Sequence, residues 1–223
     1  MTVLTTDPRR RLARRTALGG FLALGAASAA GGCTALTPTP PALFTLTPKT
    51  TFEPGLPKAN WQLLVELPVA TAGLDTPRVA VIRNQTALDY FAEVSWTDRS
   101  PAMVQSLLIQ SFEDSRRIVS VGRENVGLRS DFVLKTDLRD FQAEYSASND
   151  RYPDRVHVRI VTKLVAMPRR TIEAGETFDA VEPIAGPGFP AVVAAFDEAL
   201  GKVMKRVVEW TLRTGNAVKR ASS

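Results

Sequence analysis

Few residues in this chain are equipped for chemistry. Its 223 residues hold one cysteine, Cys33, and one histidine, His157. A Cys/His zinc site needs three or four such ligands and a disulfide needs two thiols, so neither forms within the chain. The setting of Cys33 points to a different reaction. Ala30-Gly31-Gly32 places three small residues directly before it, in the manner of a bacterial lipobox. There the thiol is the nucleophile that takes a diacylglyceryl group, and small neighbours let a signal peptidase grip the backbone. The departure is Ala30, where leucine is commonest. A free cysteine is usually a small buried hydrophobe, but nothing around Cys33 supplies a core. Cys33 is therefore expected to be the lipid-attachment residue.

The segment before it fits that role. Arg9, Arg10, Arg11, Arg14 and Arg15 precede seventeen uncharged residues, Thr16 to Gly32. A positive n-region, an apolar h-region and small residues at the end make an export signal over residues 1–32. Its large apolar side chains are only Leu18, Phe21, Leu22 and Leu24. A stable span needs about 20 mostly apolar residues, so the stretch is too weak for one. Arg14-Arg15-Thr16-Ala17-Leu18 resembles a twin-arginine signal, with Ala17 where an aromatic or leucine is usual, and both export routes stay open. Of the formal net charge of +5, +4 belongs to this leader and +1 to the remainder. The basicity therefore gives no reason to expect a nucleic-acid partner. Each lipid methylene contributes about 0.8 kcal/mol to membrane binding, and two or more chains anchor stably. Thr34, in place of an aspartate, would direct such a lipoprotein of enteric bacteria to the outer membrane. Residues 33–42 then form a lipidated, proline-rich tether, in which Thr34 to Pro41, extended at about 3.1 Å per residue, hold the domain about 25 Å from the bilayer.

The remaining candidates have ordinary readings. His157 stands between Val156 and Val158 and reads as an exposed cross-strand histidine, with no Gly-x-Ser-x-Gly elbow to partner it. Glu113-Asp114 and Asp197-Glu198 are adjacent on helices, where neighbours do not face each other, so both read as solvated surface. Gly186-Pro187-Gly188 lacks the spacing and lysine of a phosphate loop and reads as a lead-in to a helix. Arg116-Arg117 and Arg169-Arg170 lack interleaved aromatics. Trp61, Trp96 and Trp210 read as core or interface anchors. No catalytic, cofactor-binding or metal-ligating residue is assigned.

Composition is that of a globular domain, 44% apolar and 23% charged. Short β-branched or apolar runs predict strands at Ala42–Thr47, Trp61–Leu67, Arg78–Arg83, Leu88–Phe91 and Ile118–Val121. Alternation predicts two long strands, Asp131–Tyr145 and Arg155–Met167, joined by a hairpin loop at 147–153. The first puts Phe132, Leu134, Thr136 and Leu138 on one face. The second puts Val156, Val158, Ile160 and Leu164 on one face and His157, Arg159 and Lys163 on the other. Arg169–Glu182 supplies a last strand with Gly175 at a bend. Helical period follows Pro101, with Val104, Leu107, Leu108, Ser111 and Phe112 as its stripe. A second helix is predicted over Pro190–Thr214. Its stripe is Val193, Phe196, Leu200, Val203, Val207 and Trp210, with Asp197, Lys202, Lys205 and Glu209 turned away and Gly215 ending it. The expected fold is α+β, a mixed or antiparallel sheet of about 6–8 strands with two main helices packed on one face. The domain covers 43–214, and 215–223 is a disordered tail.

The order of these pieces resembles a known family. Phe44-Thr45-Leu46-Thr47-Pro48, Leu63-Leu64-Val65-Glu66-Leu67-Pro68 and Leu74-Asp75-Thr76-Pro77-Arg78-Val79-Ala80 are similar to successive blocks of the ABC-type transport auxiliary lipoproteins. This family includes the paraquat-inducible protein C lipoproteins. Leu88-Asp89-Tyr90-Phe91 with Trp96, and the last helix with Ala194-Ala195-Phe196 and Trp210, fit the same pattern. The resemblance spans about Cys33 to Leu212. It implies a non-catalytic accessory without cofactor, facing the periplasm from a lipid anchor, and an outer-membrane location. The implied partners are a periplasmic MCE-domain protein with an ABC permease and ATPase, which together move lipids or other apolar compounds between two membranes. Copies of the lipoprotein would be arranged as a ring. On this reading Asp131–Tyr145 and Arg155–Met167 contribute the docking surface, with Arg159 and Lys163 as its charges. The rival classes are an outer-membrane lipoprotein enzyme, a cell-wall binder and a structural lipoprotein.

Overall fold

A computed structural model describes residues 40–84, 86–123, 129–146 and 151–222. Cys33 and the leader lie outside the described residues, as does part of the predicted hairpin loop. Among the described residues there are nine strands and two helices. The strands are β1 (Ala42–Phe44), β2 (Ala59–Val65), β3 (Val69–Ala70), β4 (Arg78–Asn84), β5 (Ala87–Trp96), β6 (Ile118–Arg123), β7 (Phe132–Glu144), β8 (Arg155–Ala166) and β9 (Thr171–Pro183). Helix α1 spans Ser100–Ser115, between β5 and β6, and α2 spans Phe189–Ser222.

Strand β7 is the axis of the sheet. One of its edges pairs antiparallel with β8 along its whole length, and β8 pairs with β9 in the same way. The other edge is divided among three parallel neighbours. Leu63–Val65 of β2 lie opposite Phe132–Leu134, Val69–Ala70 of β3 opposite Asp137–Leu138, and Ala80–Ile82 of β4 opposite Gln142–Glu144. Beyond β2 lies β6, parallel to it, and beyond β4 lie β5 and then β1. The sheet is mixed and open, and the fold is of the α+β class, as expected.

Alternation in the two long strands follows the predicted faces. Phe132, Leu134, Thr136 and Leu138 of β7 and Val156, Val158, Ile160 and Leu164 of β8 are all buried. They meet Phe196, Leu200, Val203 and Val207 of α2, and Val104, Leu107, Leu108 and Phe112 of α1 complete the core. Trp96, Phe141 and Phe196 form a ring cluster with centroids 5.0–5.9 Å apart. Each such side chain contributes about 1.5–3 kcal/mol on burial. Tertiary packing, more than local propensity, therefore holds so long a helix.

Several boundaries depart from expectation, each for a physical reason. The first strand stops at Phe44, three residues early, because the chain then leaves the sheet and crosses both helices. Thr47 donates its backbone N–H (2.7 Å) and hydroxyl (2.8 Å) to Asp197 of α2, and the N–H of Lys49 bonds the Ser111 hydroxyl of α1 at 2.9 Å. The N–H of Glu53 bonds Glu209 at 2.8 Å. Glu209, expected to face solvent, is therefore buried. Asp197, expected to be solvated, is half-buried as a clip for this strap. Gly175 is not a bend; it sits in the ladder opposite Lys163, and the irregularity falls at Leu164/Val165. Glycines that do bend the chain include Gly186 (φ 119°) and Gly188 (φ 80°), just before α2.

Gly215 does not end α2, and residues 215–222 of the predicted disordered tail are its last two turns. A Cβ at Gly215 would lie 2.4 Å from Cζ2 of Trp61, so the glycine is there for close approach. Trp61 Nε1 donates to Asn216 Oδ1 at 2.8 Å, Asn216 Nδ2 donates to the carbonyl of Lys58 at 3.1 Å, and Lys219 bonds Asp131. These contacts carry the helix past the glycine.

Candidate docking surface

The helices cover one face of the sheet. The face left open is built from the alternate residues of β7, β8 and β9, and it has three zones. At the β7 C-terminal end, register brings charges from three strands together. His157 of β8 sits across from Gln142 of β7 and Val181 of β9. Its Nδ1 is 3.0 Å from Glu144 Oε1 and its Nε2 is 2.9 Å from Asp179 Oδ1. Arg155 Nε donates to Glu144 Oε2 at 2.9 Å. Arg159 Nε lies 3.1 Å from Asp179 Oδ2 and 3.3 Å from Asp140 Oδ2. Gln142 Nε2 donates to Asp140 at 3.1 Å and to Glu144 at 3.2 Å.

This network corrects two expectations. The His157 side chain is 12% exposed, so it is cross-strand but not exposed. Both of its ring nitrogens are occupied by carboxylates, so neither is left to take a proton from a nucleophile. Arg159 spends its charge inside the network, on Asp140 and Asp179. Burial by itself raises the Glu144 carboxyl, but hydrogen bonds from Arg155, Gln142 and His157 outweigh it and hold the group below the ordinary glutamate range. The bonds pin three strands to one another.

The middle zone is a shallow cavity of about 220 Å³ lined by Glu66, Val69, Lys135, Asp137, Val161 and Lys163. Lys135 pairs with Glu66, whereas Lys163 is exposed and makes no ion pair among the described residues. Leu67 and Val69 beside it are 50% and 63% exposed. The third zone is apolar and largely closed to solvent: Leu64, Val133 and Val165 are buried and cluster with Met167, while exposed Ile172 lies opposite Val165. Of the two docking charges nominated from sequence, only Lys163 is available to a partner. Sequence reasoning missed Glu144, Asp140 and Asp179 as partners of His157 and Arg159. Alternation put Glu144 on the right face, but the β8–β9 register that delivers Asp179 has no signature in the chain. Among the described residues no group of three or more Cys, His, Asp or Glu is placed to hold a metal ion. No helix among them is long and apolar enough to cross a membrane.

Residues 44–208 match the model of the ABC-type transport auxiliary lipoprotein component family. The solved structure of protein XCC0632 from Xanthomonas campestris is 30% identical, with a TM-score of 0.74 over 80% of this chain and 99% of its own. A second solved structure, of an uncharacterized protein, shares 13% identity and a TM-score of 0.59 over 76% of this chain and 97% of its own, a likeness in fold. Uncharacterized protein bll6063 of Bradyrhizobium diazoefficiens is 29% identical over 157 residues, 67% of this chain. The chain spans 39% of the length of that curated relative.

Proposed function

Because this chain belongs to the family of ABC-type transport auxiliary lipoprotein components, we propose that it is a non-catalytic accessory subunit of an MCE-type lipid transporter. In this reading Cys33 carries the lipid anchor and the domain faces the periplasm, from the outer membrane. It docks on the transporter's MCE-domain component, and copies can surround that component as a ring. Lipids or other apolar compounds then move between the membranes at the expense of ATP hydrolysed in another subunit. The family match over nearly the whole domain carries the proposal. The geometry supports it in two ways. The only imidazole is closed off by carboxylates, and the open sheet face presents Lys163 with exposed Leu67, Val69 and Ile172, a mixture suited to a protein contact.

The test is affinity purification of the full-length protein from detergent-solubilised membranes, with and without Cys33→Ala. Recovery of an MCE-domain protein with its permease and ATPase is the expected result. Recovery of none of them after gentle crosslinking overturns the proposal. Turnover of peptidoglycan or esters by the soluble Cys33→Ala form would favour the enzyme class instead.

A further inference from the structure

The domain has two ends of different character. The described chain begins at Pro40 and at once forms β1, where the Phe44 ring meets Phe189, the first residue of α2, at 4.8 Å. Lys219 lies in the last turn of α2, about 45 Å farther along the axis at about 1.5 Å per residue. At that far end β2 and β6 begin and both helices finish. The N–H of Ala59 bonds the carbonyl of Arg117 at 2.7 Å, and Asn216 bonds the carbonyl of Lys58. Lys58, Arg116, Arg117, Arg129, Lys219 and Arg220 gather there, against Glu113, Asp114 and Asp131. Asp131 is taken by Lys219. Lys58, Arg116, Arg129 and Arg220 are exposed, and their side chains make no ion pair among the described residues.

Cations at helix C-termini offset the partial negative charge there, which accounts for those at the ends of α1 and α2. It does not account for Lys58 and Arg129, which lead into strands. Since the chain after the leader carries a net charge of only +1, this is a local concentration. Beside it runs a sheet edge that is open among the described residues: β6 pairs on one side with β2 and is the last strand of its branch there, and its Val119 is 68% exposed. Unpaired strand edges bond other backbones. A lipid headgroup has no backbone to offer.

We propose that this end is a second contact surface, taking an extended, acidic segment of a protein partner along β6. The partner's identity rests on the accessory reading, which makes it the transporter's periplasmic component. The described chain starts close to Phe189, and this surface lies at the opposite end of α2.

The experiment uses full-length lipidated protein in native membranes, with a photocrosslinking residue at Val119 and, separately, the triple variant Lys58→Glu, Arg116→Glu, Arg220→Glu. The expected results are a crosslink from Val119 to the periplasmic component and about a tenfold loss of copurified component in the triple variant. Lys58→Arg, Arg116→Lys, Arg220→Lys should retain it, and raising salt from about 50 to about 300 mM should weaken it. Circular dichroism checks that the triple variant folds. A crosslink only to lipid or to a second copy overturns the proposal, as does recovery within about twofold of wild type in the reversed variant. Absence of the component from the wild-type preparation strikes instead at the accessory reading on which the partner's identity rests.

Discussion

Replacing Gly215 with alanine should destabilise this domain, although the same change in an exposed helix interior stabilises by about 1 kcal/mol. The added Cβ would sit 2.4 Å from Cζ2 of Trp61 and 2.9 Å from Cε2 and Cη2. That ring has no room to withdraw. It is buried, it meets Phe132 edge-on at 5.1 Å, and its Nε1 donates to Asn216 at 2.8 Å. Overpacking of this kind costs about 1–3 kcal/mol, and a lost hydrogen bond adds about 1 kcal/mol. After the gain in propensity, the net loss is about 2 kcal/mol, or a fall in Tm of about 4–8 °C for a domain of this size. Gly201 in the same helix is the internal control. Its nearest neighbour is Lys49 Cδ at 3.8 Å, an ordinary contact. Gly201→Ala should therefore leave stability unchanged or raise it by up to about 1 kcal/mol. Thermal and urea unfolding of the Cys33→Ala form give both values. If Gly215→Ala raises Tm as Gly201→Ala does, α2 does not press on Trp61 and the reasoning fails.

Other outcomes follow from other contacts. The Thr136 hydroxyl is buried without a hydrogen-bond partner among the described residues, whereas its cross-strand neighbour Thr162 donates to the Glu176 carbonyl at 3.0 Å. Thr136→Val should raise stability by about 1 kcal/mol and Thr162→Val lower it by a similar amount, measured by urea unfolding. Asp197→Ala removes the clip on Thr47 and should cost about 1–2 kcal/mol, with faster amide exchange at Thr47 and Lys49 as the local readout. Glu144 and Asp131 are both held below their ordinary carboxylate values. For each, burial pushes up, and the bonds made by Arg155, Gln142 and His157 in one case and by Lys219 and Gln62 in the other prevail. Folded values below unfolded ones contribute stability above about pH 4, lost as pH falls through the lowered values. Glu144→Gln should flatten that part of a stability–pH curve, and an unchanged curve would refute the assignment.

The long strands and the buried faces of both helices were legible because period-2 and period-3.6 patterns act within one element. Phe132 through Leu138 and Val156 through Leu164 show it. Elements defined by contact with distant chain were not. Val69–Ala70 is a strand only because Asp137–Leu138 lies beside it. Glu209 reads as surface until the strap's Glu53 is placed over it. Gly215 is a stop signal by type and a packing residue by position, and Trp61 decides between the two. His157 was read on the correct face, but its burial depends on Glu144 and Asp179, brought in by register on either side. Cys33 lies outside the described residues and rests on its sequence context.

The divided edge of β7 also bears on the order in which this chain can fold. β7, β8 and β9 are consecutive and antiparallel, so their ladders close through short connections. β2, β3 and β4 are complete much earlier in the chain, yet each has its β7 partner only after Phe132 has been made. An emerging N-terminal half therefore holds apolar strands with unpaired edges until the axis strand arrives. Non-local parallel pairing of this sort is slow and exposes sticky intermediates. The meander of the C-terminal half is the natural nucleus onto which the earlier strands dock. A truncated chain ending before β7 would hold the β4–β5 and β2–β6 ladders as separate pieces, with no axis strand to join them.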